Sequence, residues 1–136
     1  GVKDATGDLD RVGKQLKAMG KDFIQLTGND DNAYEFNKRG GVGSISVTAN
    51  IAAKLCSEFQ KYSVSKILAD QEKAKDLDNI LQPLHSSMFV ESNPSPVKYA
   101  ASLLNLAPED VRLPLVKVRD KTKKIIKESL QAAKLL

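Results

Sequence analysis

Apolar residues recur along the chain with one rhythm up to about residue 63 and another beyond it. In the first stretch, short apolar runs alternate with helical spacing. Val2-Lys3 reads as the end of a short strand. Leu9, Val12, Leu16 and Met19 recur every third or fourth position and predict a helix, with Asp8 able to cap its start and Gly20 marking its end. Phe23-Ile24-Gln25-Leu26 predicts a second strand, broken by Thr27-Gly28-Asn29-Asp30. A short helix over 32–39 stops at Gly40-Gly41, residues 43–47 predict a third strand, and residues 51–62 a third helix. Strand and helix thus alternate through short connections, the pattern of a parallel sheet with crossover helices.

After Tyr62 the alternation ends. Ser63 or Ser65 can cap a long helix that carries Ile67, Ala74, Leu77, Ile80, Leu81 and Leu84 on one side, with Pro83 expected to kink it. Asn93-Pro94-Ser95-Pro96 predicts a rigid turn, with Pro96 in the first turn of a helix running to about residue 105. Residues 107–116 read as a loop. Asp120 can cap a last helix with Ile125, Ile126, Leu130, Ala133 and Leu136 as its apolar positions. The chain therefore divides into a βαβαβα part, 1–63, and a helical part, 64–136. Three parallel strands cannot close a barrel, which needs about eight, and an open three-stranded sheet leaves its edges bare. The fold class expected is α/β, with this chain the C-terminal part of a larger protein.

Composition narrows the function classes. The 136 residues are 41% hydrophobic and 28% charged with a net charge of +4, which is ordinary for a globular chain. Only residues 117–127 (KVRDKTKKIIK) are locally basic. That stretch reads as a solvated helix face, and three Tyr, four Phe and no Trp leave little for base stacking, so nucleic acid is not an expected partner. No apolar run approaches the ~20 residues of a membrane span. The single Cys56 cannot form an internal disulfide, which suits a reducing, cytoplasmic setting, and its apolar neighbours read it as a buried small residue. With one His and one Cys, no metal site is expected.

In parallel α/β folds ligands bind at the carboxyl ends of strands. Three segments qualify: Lys3-Asp4-Ala5-Thr6, Thr27-Gly28-Asn29-Asp30, and Ile45-Ser46-Val47-Thr48. Lys3 is the one strand-end lysine among them. An amine in a partly desolvated mouth can attack a ketone or aldehyde and form a Schiff base, although a lysine near a chain end is, on spacing alone, an ordinary surface group. Gly28 reads as turn punctuation whose missing side chain also lets backbone approach a ligand. Ile45 reads as a core strand residue.

These residues occur in a run of motifs that resembles the dihydrodipicolinate synthase family: Gly1-Val2-Lys3-Asp4-Ala5-Thr6-Gly7, Leu26-Thr27-Gly28-Asn29-Asp30, GGVGSISVTAN over 40–50, Pro83-Leu84-His85, FVESNPSPVK over 89–98, and Arg112-Leu113-Pro114-Leu115. The resemblance covers essentially the whole chain. It implies a TIM barrel followed by a C-terminal helical domain, with this chain supplying about strands six to eight and that domain. It implies Lys3 as the Schiff-base lysine that binds pyruvate, Gly28 as a glycine lining the pyruvate pocket, Ile45 as a main-chain contact to pyruvate, and Thr6 at the pocket floor. The reaction implied is condensation of pyruvate with aspartate semialdehyde to 4-hydroxy-tetrahydrodipicolinate, in lysine and diaminopimelate biosynthesis. No cofactor is implied beyond the covalent link on Lys3. The partners implied are the missing N-terminal barrel half and other copies of the protein, as a dimer of dimers. The family's proton-relay tyrosine, paired threonines and substrate-carboxylate arginine are not in this chain, so the 136 residues alone are expected to be inactive. A non-catalytic oligomerisation module, or a related pyruvate aldolase such as N-acetylneuraminate lyase or a keto-deoxy-sugar aldolase, are the competing readings.

Overall fold

The computed structural model describes residues 1–136. Strand β1 (Val2–Asp4) is followed by helix α1 (Asp10–Met19) and strand β2 (Gln25–Thr27), and then by α2 (Ala33–Lys38), α3 (Ala53–Ser63), α4 (Leu68–Ser87), α5 (Ser95–Leu103) and α6 (Asp120–Ala132). Single 3-10 turns occupy Asp30–Asn32 and Thr48–Asn50. The chain divides into two compact units, Gly1–Ser46 with Ser57–Asp78 and Val47–Cys56 with Asn79–Leu136.

In the first unit β1 and β2 pair in parallel, with Val2 opposite Gln25, Lys3 opposite Leu26 and Asp4 opposite Thr27. Gln25 is fully buried, and its Nε2 donates to the Val12 carbonyl at 3.1 Å, which ties β2 to α1. A buried amide without such a partner would cost free energy, so this bond fixes the depth of the helix against the strand. Gly20 ends α1 at φ 89°, as its position predicts. The second strand starts two residues later than the expected 23–26 and ends one later, because residues 21 and 22 form a turn first. Gly41 lies directly on the Phe36 ring, where a Cβ would overlap ring carbons. Asn37 donates through Nδ2 to Gln60 Oε1 and to Ser63 Oγ, both at 2.8 Å, and Gln60 Nε2 donates to Ser44 Oγ at 2.8 Å. This polar network joins α2, α3 and the segment after Gly43.

The expected architecture, strands six to eight of a TIM barrel with a C-terminal helical domain, is corrected by this structure, which has two strands and six α-helices. The expected third strand over 43–47 contributes a single parallel bridge, Thr27 to Ser44. Its hydrogen bonds to β2 run only from Val42 N–H, at 3.0 Å to the Gln25 carbonyl, to Ile45 N–H, at 2.9 Å to the Thr27 carbonyl. Val47 already has helical torsions, φ −77° and ψ −44°, and leads into the 3-10 turn. The β-branched run is too short to extend a ladder before the chain turns. Ile45, expected in the core, is 48% exposed.

The second unit is helical. Helix α5 packs on α6 and on the Thr48–Asn50 turn. Leu81, Leu84, Met88, Ala100, Ile126 and Leu130 are wholly inaccessible to solvent and form its core, while Ile80, expected on the same side as Leu81 and Leu84, is 44% exposed. His85 is buried with Nδ1 2.7 Å from Thr48 Oγ1, and Ser87 Oγ meets Ser129 Oγ at 2.8 Å. Pro96 sits in the first turn of α5, where its missing N–H costs nothing. Asp120 is the first residue of α6 rather than its cap. The capping role falls to Glu91, whose Oε1 accepts the Arg119 N–H at 3.1 Å. The Thr122 hydroxyl, above all, and the Arg119 N–H hold the Glu91 carboxyl below its usual range.

The basic stretch is largely ion-paired. Lys117 meets Glu109 at 2.9 Å and Asp110 at 3.2 Å, Arg119 meets Glu91, Lys123 meets Asp120 and Lys124 meets Glu128. No helix is long and apolar enough to cross a membrane.

Leu84, buried without residue, tests the helical core. Leu84→Ala is expected to lower the unfolding free energy by about 2–5 kcal/mol, measured by urea titration followed by circular dichroism. An unchanged midpoint would show that the side chain is not packed as described.

Candidate active site

The pleat of a strand sends neighbouring side chains to opposite faces. In β1 this leaves Lys3 exposed and turns Asp4 inward to 7% exposure. Gly28 follows directly on β2, and its N–H donates to the Asp4 carbonyl at 2.7 Å. A Cβ built on Gly28 would stand 2.7 Å from Lys3 Cε and 2.8 Å from Ala5 Cβ. The lysine stem therefore lies over the glycine, and only glycine leaves room for it. A strand-end amine on a flexible stem, set against bare backbone, is an arrangement that can receive a small carbonyl compound.

The carboxylate of Asp4 is closely held. Its Oδ1 accepts the Thr6 hydroxyl at 2.6 Å and the Thr6 N–H at 2.9 Å. Its Oδ2 accepts Arg11 Nε at 2.6 Å, with Gln15 Nε2 at 3.5 Å. The bond from the Thr6 hydroxyl, then those from Arg11 and the Thr6 N–H, lower the Asp4 pKa from 3.8 to about 2 against the opposing effect of burial. The same side-chain spacing continues along the loop: Asp8 N–H donates to Thr6 Oγ1 at 3.2 Å, and Asp10 N–H to Asp8 Oδ1 at 3.0 Å. Asp8, expected to cap α1, thus serves the first amide of a helix that begins two residues later. These short side chains bonding two residues ahead form a continuous brace from β1 to α1.

Of the four residues singled out from the sequence, Lys3 and Gly28 lie against one another. Thr6 is exposed, and its hydroxyl donates to Asp4. Ile45 is held through its N–H to Thr27, the residue before Gly28. Asp4 and Arg11 were not singled out. Their signal was present in Asp4-x-Thr6-x-Asp8-x-Asp10, where polar side chains recur at every second position across a turn. No group of three or more His, Cys, Asp or Glu side chains is arranged to hold a metal ion.

Residues 1–133 match the dihydrodipicolinate synthetase family. The chain belongs to that family. A 4-hydroxy-tetrahydrodipicolinate synthase of Pelagibacter ubique is 70% identical over 136 residues, all of this chain and 46% of its own length. One from Ruegeria pomeroyi is 49% identical over the same span, again 46% of its length. Among solved structures, a chloride-inhibited dihydrodipicolinate synthase from Acinetobacter baumannii, complexed with pyruvate, is similar with a TM-score of 0.92 at 37% identity, over 100% of this chain and 46% of that one. A dihydrodipicolinate synthase described as the first monomeric variant is similar with a TM-score of 0.91 at 33% identity, over 98% of this chain and 45% of that one. The chain thus spans somewhat less than half the length of the family members it matches.

The Asp4 brace has a pH signature. A carboxyl whose folded-state pKa is depressed adds stability that is present above its unfolded value and fades as pH falls toward the folded one. The stability advantage of the native sequence over Asp4→Asn is therefore expected to hold constant above about pH 5 and to shrink as pH falls toward about 2, read from thermal melts at stepped pH. An advantage that grows on acidification would contradict the assignment.

Proposed function

We propose that the protein carrying this chain is a 4-hydroxy-tetrahydrodipicolinate synthase, condensing pyruvate with aspartate semialdehyde through a Schiff base on Lys3. The observation that carries the reading is the approach of the Lys3 stem to Gly28 at the end of the paired strands. The 70% identity to a protein of that name, and the likeness to a relative complexed with pyruvate, support it. The Lys3 amine adds to the ketone carbon of pyruvate and water leaves, giving an imine. Loss of a methyl proton gives the enamine, whose carbon bonds to the aldehyde carbon of the second substrate. Ring closure by the amino group of that substrate displaces the lysine amine. Gly28 keeps the approach to the imine carbon open, and the Ile45 and Thr6 segments border it. No cofactor takes part in this scheme. Action as a homo-oligomer in the cytoplasm belongs to the same proposal, the latter supported by the lone buried Cys56.

Borohydride reduction in the presence of pyruvate is expected to leave the reduced pyruvyl group on Lys3, identified by peptide mass spectrometry of the full-length protein. Lys3→Ala is expected to abolish the adduct and lower turnover by about a thousandfold or more. An adduct on another lysine, or none, would sink the reading.

Gly28→Ala supplies a second check. Its Cβ would have to displace Lys3 Cε, so the variant is expected to form the adduct at least about tenfold more slowly while keeping a native circular dichroism spectrum. Adduct formation at the native rate would separate Gly28 from the lysine.

A further inference from the structure

We propose that Asp4 is a positioning residue for the amine of Lys3, acting through its bond to Gly28 on one side and through Thr6 and Arg11 on the other. The proposal rests on the reading of Lys3 as the Schiff-base lysine. Asp4 touches both members of that site. It adjoins Lys3 in the chain, and its carbonyl accepts the Gly28 N–H at 2.7 Å. Gly28 is the residue on which the lysine stem rests. The opposite side of Asp4 is equally fixed, since both carboxylate oxygens accept short bonds from Thr6 and Arg11. A charged side chain that is 7% exposed beside an exposed lysine is unusual enough to call for a reason. It does not face the substrate side, because Lys3 and Asp4 point to opposite faces of β1. Its effect on chemistry must pass through backbone position. The strand end is held at Asp4 from both sides, by the Gly28 N–H on its carbonyl and by Thr6 and Arg11 on its carboxylate. The Arg11 contact carries that constraint from α1, a helix of ten residues, into the strand end. A misplacement of about 1 Å at a nucleophile is enough to slow its reaction strongly.

The test uses the full-length protein with pyruvate, quenched by borohydride at set times, and counts adduct on Lys3 by mass spectrometry to give a rate constant and a final amplitude. Arg11→Ala is the first variant, because its side chain is 44% exposed and its loss leaves the Thr6 bonds to Asp4 in place. Asp4→Asn is the second. Arg39→Ala, which breaks the 2.8 Å pair of Arg39 with Asp10 on the same helix, is the control. Arg11→Ala is expected to lower the rate constant at saturating pyruvate about tenfold, with half-saturation and final amplitude unchanged. Asp4→Asn is expected to do at least as much, and the double variant to be no slower than the slower single, since both remove one coupled contact. Arg39→Ala is expected to react at the native rate. A merely structural role would reduce the amplitude and leave the rate constant of the folded molecules alone, and that outcome overturns the proposal. So does a native rate constant in Arg11→Ala, which decides the matter by itself if Asp4→Asn does not fold. Absence of a Lys3 adduct in the native protein would overturn the lysine reading instead, so the two failures are distinguishable.

Discussion

The hydrogen bond from the Gly28 N–H to the Asp4 carbonyl, 2.7 Å long, closes the first unit at the point where its two strands end. Parallel pairing sets the register that makes the bond possible, with Asp4 opposite Thr27. Everything at the candidate site follows from it. It brings the backbone of Gly28 under the Lys3 stem, so close that a Cβ there would have to displace Lys3 Cε. It also leaves the Asp4 carboxylate turned inward, where water cannot satisfy it, so the adjoining loop has to supply donors. Thr6 and Arg11 do so, and the loop takes the shape that lets them.

Much of this was legible in the residues. The turn glycines, the helical spacing of Leu9, Val12 and Leu16, and the proline at the start of α5 each have a local cause, and the structure shows the elements they predict. The third strand was not legible, because its length depends on how soon the chain turns after Ile45, and Ser46-Val47 carries no residue that announces a 3-10 turn. The exposure of Ile45 and Ile80 was hidden for a related reason: burial is decided by what lies opposite, which a spacing rule cannot see. At the site, Lys3 and Gly28 stood out by residue type. Asp4 did not, since an acid at a strand end reads as an ordinary turn former until its partners are known.

The second unit shows how polar groups are settled within a helical core. His85 with Thr48 and Ser87 with Ser129 are buried pairs, each linking segments far apart in sequence. Such pairs add little net free energy when made, yet leave a costly vacancy when one partner is removed. The basic stretch over 117–127 illustrates the opposite case. Its charge reads from the sequence as a solvated helix face, and Glu109, Asp110, Glu91, Asp120 and Glu128 lie beside four of its basic groups. Pairs of this exposed kind contribute little to stability; here their main effect is to blunt the local field.

Cys56 is the one thiol among these 136 residues, and it is 8% exposed. Thiol-directed dyes and spin labels will find this stretch of the protein silent in the native state. A cysteine placed on the exposed face of α1 or α6 would therefore report from a known position with the native residue left in place, which makes the chain a ready host for distance measurements by fluorescence or electron spin resonance.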